Sequence, residues 1–265
     1  MSNNPMDELA TYNRERWNAL VEAGVMYSLP WLDLTPALAC ERLDKDGWLG
    51  DVSGQRVLCL ANGGGQQSAA FAMLGAAVTV IDLSDAQLAQ DRKAAAHYGF
   101  SIRIEQGDMR DLARFESGEF DRVWHGYSIN FVPDPRQVFA QVARVLKPGG
   151  QYVMQCSNPH RFALKDEIWR EGYALTKIYK DGEVFEDDPD WVVEREDGSN
   201  IKVRGPREFN HTWATLINGL ADHGFAIRHF REWLRTDANA AVGSWAHLTQ
   251  VLPPYVTFWG ERVSL

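Results

Sequence analysis

Residues 56–84 read RVLCLANGGGQQSAAFAMLGAAVTVIDLS. The run RVLCLA (56–61) has the branched and apolar residues of a strand and leads into three glycines. QQSAAFAMLGA (66–76) is a small-residue stretch suited to a helix, and VTVIDLS (78–84) is the nearly unbroken apolar run of a strand covered on both faces. Strand, glycine turn, helix and strand in this order predict a βαβ unit of a parallel sheet.

The rhythm continues outward. Ser84 with Gln87 three residues on reads as a capping box, opening a helix that Gly99 stops. SIRIEQGD (101–108) and FDRVWHG (120–126) are the third and fourth strands. DPRQVFAQVARVL (134–146) carries Val138, Val142, Val145 and Leu146 on one helical face, KPGG ends it, and QYVMQC (151–156) is the fifth strand. After Cys156 the alternation breaks. HTWATLINGLADHGF (211–225) is another helix, and AIRHFREW (226–233) and YVTFWGERV (255–263) are late strands. WVVERE and NIKVRG around Asp197-Gly198-Ser199 predict a hairpin. The first fifty residues read as helices, PMDELATYNRERWNALVEAG (5–24) and TPALACERL (35–43), with Thr35 as N-cap and Pro36 in the first turn. The expected organisation is a helical N-terminal cap (1–50), a core (51–156), a lid or substrate insertion (157–208) and a segment completing the core sheet (209–265).

Composition narrows the function. The 265 residues, 45% hydrophobic and 24% charged, exclude disorder and coiled coil and suffice for a sizeable core. No apolar run reaches the roughly 18 residues of a membrane span. The start, MSNNPMDELA, lacks the layout of a signal peptide. Cys40, Cys59 and Cys156 fit no metal-ligand spacing, so no metal is expected and a reducing cytoplasm is the expected home. A net charge of −9 disfavours nucleic acid as a partner. Residues 165–208 concentrate that acidity, with 13 acidic against 8 basic residues. Their densest run, Glu186-Asp187-Asp188-Pro189-Asp190, reads as a solvated loop. Only Trp124 of the ten tryptophans lies within 51–156, so aromatic side chains crowd the rim elements, where they suit enclosing a ligand. Monomer and homodimer are both compatible with this surface.

The chemistry starts at Ala61-Asn62-Gly63-Gly64-Gly65-Gln66-Gln67-Ser68, where glycines let the chain turn sharply and a ligand approach the main chain. Asp82, at the end of the second strand, can accept hydrogen bonds from both hydroxyls of a ribose. Loop and Asp82 together suit either a nicotinamide dinucleotide or S-adenosylmethionine (SAM). Further motifs then follow in order. Gln106-Gly107-Asp108-Met109 follows the third strand, where an Asp accepts from an adenine amino group beside an apolar neighbour. Phe120-Asp121 opens the fourth strand, Leu146-Lys147-Pro148-Gly149-Gly150 precedes the fifth, and YVTFWGERV comes last.

With these motifs the chain resembles the class I SAM-dependent methyltransferases, particularly the small-molecule, type 11-like members, well over 51–156 and in layout over 209–265. The resemblance implies a Rossmann-like, doubly wound, mostly parallel seven-stranded sheet whose last strand, here YVTFWGERV, is antiparallel and inserted. It implies SAM as methyl donor, S-adenosylhomocysteine (SAH) as product and a small-molecule acceptor. Ala61 to Gly65, with Asn62, Gly63 and Gln67, would wrap the methionine part. Asp82 would hold the ribose, Leu83 would lie against the adenine, and Gly107, Asp108 and Met109 would frame it. His125 would line the pocket near methionine and acceptor. The family usually has an acidic residue where Cys59 stands and a glycine where Ala61 stands; Ala61 is tolerable if its backbone stays at negative φ, and Asn62 or Gln67 would compensate for the missing acid.

Methyl transfer requires an acceptor lone pair in line with the S–CH3 bond and a place for any released proton. His125-Gly126-Tyr127-Ser128 is the expected locus. His125 reads either as general base or as a hydrogen-bonded wall of the cofactor pocket, and Tyr127 as the group orienting the acceptor. Ser157-Asn158-Pro159-His160 follows the fifth strand and not the fourth, so it does not match the Asn-Pro-Pro-aromatic motif of amide methyltransferases. Asn158, His160 and Arg161 are nonetheless candidates to face the acceptor, as are Tyr27 and Trp31 in YSLPW. Trp17 reads as core packing, and His211 as a neighbour of a helix cap. Two other functions stay open: a catalytically inactive SAM-binding or scaffold protein, motivated by Cys59, and an NAD(P)-dependent oxidoreductase, which shares the loop and Asp82.

Overall fold

The computed structural model describes residues 6–164, 169–185, 190–234 and 236–263. Five strands run parallel: β1 (Arg56–Leu60), β2 (Ala77–Asp82), β3 (Arg103–Gln106), β4 (Phe120–His125) and β5 (Leu146–Ser157). A hairpin, β6 (Asp190–Glu194) and β7 (Asn200–Arg204), stands apart as its own two-stranded sheet. β8 (Phe225–Glu232) and β9 (Tyr255–Arg262) complete a seven-stranded sheet of order β3-β2-β1-β4-β5-β9-β8. β9 is antiparallel to both neighbours and lies between β5 and β8, as the resemblance implies. The order reverses between β1 and β4, so the loops leaving those two strands diverge and open a crevice at their carboxyl ends.

Alternation along β1 explains why both faces need cover. Leu58 and Leu60 face one buried layer, with α5 (Pro135–Val145) and α7 (Trp213–Asp222) contributing Val138, Phe139, Val142, Leu216 and Leu220. Val57 and Cys59 face the other, with α2 (Pro36–Leu43), α3 (Gln67–Met73) and α4 (Asp85–Tyr98) contributing Leu43, Ala69, Ala70, Phe71 and Leu88. Burying side chains such as Phe71 and Phe139 contributes about 2–3 kcal/mol each. The helices start where a side-chain oxygen meets their orphan amides: Thr35 for α2, Ser84 for α4, Asp134 for α5 and Thr212 for α7. α1 (Glu8–Glu22) is capped by Asp7 and packs with the hairpin through Leu20, Val25 and Val193, with Trp17 and Trp191 alongside.

Two local readings are corrected. The capping box at Ser84 is half formed: Ser84 Oγ accepts from Gln87 N at 3.0 Å, but the Gln87 amide donates to Ser28 Oγ and the Ser84 amide goes to Asp82. KPGG ends α5 but already belongs to β5. Gly149, at φ 76°, accompanies the register slip between the Phe120 and Arg122 pairings. Residues 186–189 of the acidic run lie outside the described residues; Asp190 opens β6 and pairs with Lys202 and Arg204. No helix among the described residues is long and apolar enough to cross a membrane.

Candidate active site

The turn after β1 is held by two carboxylates. Gly63 N donates to Asp82 Oδ2 at 2.9 Å, Gly64 N to Asp91 Oδ2 at 3.0 Å and Gly65 N to Asp91 Oδ1 at 3.1 Å. Ser68 Oγ also donates to Asp91, and the other Asp82 oxygen accepts from Ser84 N at 2.9 Å. Burial raises both carboxyls; that of Asp91 is pushed up to about 7 by burial, with the Asp82 charge adding to it. Gly65 sits at φ 71°, and a Cβ there would lie 2.5 Å from the Gln90 carbonyl oxygen, so glycine is required. Ala61 occupies the left-handed region at φ 44°. That overturns the expectation of negative φ and leaves alanine in a conformation about 1 kcal/mol costlier than glycine's.

This wiring decides what the loop accepts. Dinucleotide loops offer free amides to a diphosphate. Here the amides of Gly63, Gly64 and Gly65 are all taken by the Asp82 and Asp91 carboxyl groups, so a diphosphate would find no free donors and would face Asp82, which lines the cavity. A ligand carrying positive charge is favoured. Asn62 Nδ2 donates to Gln67 Oε1 at 2.7 Å, and a Cβ on Gly126 would lie 2.0 Å from Asn62 Oδ1, so the β1 and β4 turns meet only because residue 126 is glycine.

A cavity of about 880 Å³ opens from this loop, at the large end for a ligand pocket and roomy enough for two small molecules. At one end it is lined by Ala61, Asn62, Gly63, Gln67, Asp82, Leu83, Asp108 and Met109. Arg110 clasps both oxygens of Asp108 at 2.6–3.1 Å and reaches Asp7 at 2.8 and 3.0 Å, tying the start of α1 to this end. The buried Gln87 Oε1 at this end has no partner, leaving an acceptor for a ligand donor.

At the other end, Tyr127 donates to Glu208 Oε2 at 2.9 Å and shares a hydrogen bond with Ser157 Oγ. Glu208 is buried, and desolvation raises its carboxyl, opposed by the Tyr127 hydrogen bond and the Arg161 charge. Trp17, Tyr27, Phe131, Trp191 and Tyr255 wall this end. His125 also lines the cavity, but its Nδ1 is bonded to Tyr152 Oη at 2.8 Å and burial pushes its pKa down to about 3. It is a neutral wall and a feeble base, which corrects its reading as proton acceptor.

Other expectations are corrected by position. Gly65 and Gly107 do not line the cavity: Gly65 backs the loop on Asp91, and Gly107 donates to the Asp82 carbonyl, with Ile81 and Arg114 against its Cα. Trp31 packs in the α2–α3 layer with the Arg42 guanidinium over its ring at 4.7 Å. Asn158 is spent capping the short helix α6 (Pro159–Phe162) and bonding the Pro253 carbonyl, and His160 is exposed, stacked on Tyr179. Arg161 and Tyr27 do line the cavity, and Trp17, read as core packing, lines it too. Sequence reading missed Glu208, which lies in an irregular segment without a motif. It also missed Asp91, whose signal was an acid on the buried stripe Gln87, Leu88, Asp91, Ala94 of α4. Among the described residues no cluster of His, Cys, Asp and Glu could hold a metal ion.

A family model described as a methyltransferase domain matches residues 58–154. Over 241 residues the chain is 31% identical to the uncharacterized methyltransferase YbaJ of Bacillus subtilis (strain 168), covering 86% of this chain and 91% of that protein. It is 36% identical over 130 residues to the ubiquinone biosynthesis O-methyltransferase of Xanthomonas oryzae pv. oryzae (strain PXO99A), covering 48% of this chain but only 54% of that enzyme. Among solved structures, the geranyl diphosphate C-methyltransferase of Streptomyces coelicolor A3(2), in complex with Mg2+, geranyl diphosphate and S-adenosyl-L-homocysteine, superposes with a TM-score of 0.60. That match covers 98% of this chain and 100% of the other at 16% identity, and is a likeness of fold.

Proposed function

This chain belongs to the class I SAM-dependent methyltransferases, and we propose that it transfers the methyl group to a small-molecule acceptor held at the aromatic end of the cavity. The observation that carries this reading is one continuous cavity joining the carboxylate-held loop to Tyr127 and Glu208. SAM supplies a methyl already activated on a sulfonium.

The protein's part is binding, orientation and proton handling. Ala61, Asn62, Gly63 and Gln67 would hold the amino-acid end. Asp82 keeps lone pairs for ribose hydroxyls beyond the two amides that it accepts. Leu83 and Met109 offer apolar contact to the adenine, and Asp108 a remaining acceptor beside it. The carboxylates around the loop favour a cationic sulfonium over a dinucleotide, which counts against the oxidoreductase reading. Orientation alone supplies several kcal/mol. For a hydroxyl acceptor, the released proton passes to Glu208, directly or through the Tyr127 phenol, and Glu208, raised by burial, is suited to take it. Residues 1–50 and 157–208 act in this reading as cap and lid over the core 51–156, with 209–265 completing the sheet. The unpaired, buried Cys59 and Cys156 fit a reducing cytoplasm.

The test is calorimetric titration with SAM, SAH and NADH, followed by a screen of small hydroxylated and amine acceptors with the wild-type protein and Glu208→Gln. Micromolar binding of SAM and SAH, absent for NADH, with turnover on at least one acceptor is expected. Binding of SAM without turnover across the panel would overturn the small-molecule reading.

A further inference from the structure

We propose that Asp91 is the positioning residue of the cofactor loop, so that helix α4 supplies the carboxylate that strand β1 lacks, and that Cys59 and Asp91 are a coupled pair. This rests on the reading of the loop as the SAM site. Three donors within five consecutive residues, the amides of Gly64 and Gly65 and the Ser68 hydroxyl, converge on one fully buried carboxylate. Charge-assisted bonds of this kind are the strong ones, and removing their acceptor takes the partner from Gly65 N and the Ser68 hydroxyl and leaves Gly64 N only the Gln87 carbonyl, at 3.1 Å. The Gln90 carbonyl lies where a Gly65 Cβ would be, so α4 and the loop interlock over two adjacent residues, Gln90 and Asp91.

Cys59 lies on the face of β1 that α3 and α4 cover. Asp91 lies under the loop that leaves β1 and bonds Ser68 of α3, so both residues belong to the layer between β1 and these helices; burial raises the Cys59 thiol first, and the Asp91 charge adds to it. An acid at position 59 would add a third buried carboxylate to Asp82 and Asp91, and like charges so close cannot all ionise. The buried space between β1 and α4 thus takes one acid, at 59 or at 91, but not both.

The test uses the full-length protein and four variants: Asp91→Asn, Asp91→Ala, Cys59→Asp and Cys59→Asp/Asp91→Ala. SAH affinity is read by calorimetry, and exchange of the Gly64 and Gly65 amides by NMR without ligand. Asp91→Asn is expected to weaken SAH binding roughly tenfold or more and to speed exchange at the Gly65 amide above all, since Gly64 N keeps the Gln87 carbonyl. Cys59→Asp alone is expected to weaken binding, yet the double variant to regain most of what Asp91→Ala loses, in affinity and in exchange. Wild-type affinity and exchange in Asp91→Asn, or a double variant no better than Asp91→Ala, would overturn the proposal. If Asp91→Ala does not fold, a folded, SAH-binding double variant supports the pairing and an unfolded one refutes it. If the wild type itself fails to bind SAH, the functional reading fails, and the amide exchange still decides the pairing.

Discussion

At the glycine-loop end of the cavity, Asp82 lies 19 residues from the glycine it holds; at the aromatic end, Tyr127 and Glu208 are 81 residues apart. The first end is built mainly from turns between successive strands and helices, where backbone amides and short-range carboxylates do the holding, with one long-range clasp from Arg110 to Asp7. The second is assembled from α1, the turn after β4, the hairpin and the approach to α7, with aromatic ring centres 5.2–6.5 Å apart. One end is a local construction and the other a long-range one, and they should fail differently when altered.

The sharpest break comes from Asp82→Ala. It removes the acceptor for Gly63 N and Ser84 N as well as the ribose contacts, and SAH affinity measured by calorimetry should fall by about 100-fold. Glu208→Gln should do the reverse. With SAH affinity within about twofold of wild type, kcat on a hydroxyl acceptor should drop by about 10²-fold or more, and the acid limb of its pH profile should vanish. Equal damage to SAH affinity would mean that the two ends are not separable.

Protonation distinguishes the ends more gently. His125 is held at about 3 against an ordinary value of 6.5, so the unfolded chain binds the extra proton between those limits. Its contribution to stability is present above pH 6.5 and is lost as pH falls towards 3, at roughly 1.4 kcal/mol per pH unit. Asp91, raised to about 7 from 3.8, runs the other way: its contribution is full below 3.8 and is lost as pH rises through 7. Between pH 3.8 and 6.5 the two slopes oppose each other, so denaturant melts across that range should show a shallower rise of stability with pH in His125→Leu and a steeper one in Asp91→Asn. The smallest effect belongs to His160→Ala, exposed and outside the cavity, which should leave SAH affinity and kcat at wild-type values; a tenfold change in either would return the turn after β5 to the site.

The same contrast explains what could be read from the residues alone. The sheet, the inserted antiparallel strand and the meeting of Ala61, Asn62, Gly63, Asp82, Asp108 and Met109 around one cavity were legible because each motif sits on one strand-to-helix turn, where spacing along the chain translates into spacing in space. Trp31 and His160 were misjudged, and Glu208 went unnoticed, because which side chains meet across 81 residues depends on packing that no local pattern encodes. His125 was legible as a position but not as chemistry, since its burial and its bond to Tyr152 come from β5. Asp91 was the one legible signal passed over, an acid on a buried stripe.

The place of β9 between β5 and β8 has a consequence for how the chain is made. On a ribosome β8 emerges before the strand that joins it to the sheet. Until residues 255–262 arrive, β5 and β8 both expose unpaired edges, with Phe225 and Phe230 on the waiting strand. Closure is therefore late and depends on contacts distant in sequence, the arrangement that slows folding and lengthens exposure to aggregation. The seven-stranded sheet is thus complete only when β9 has entered between β5 and β8.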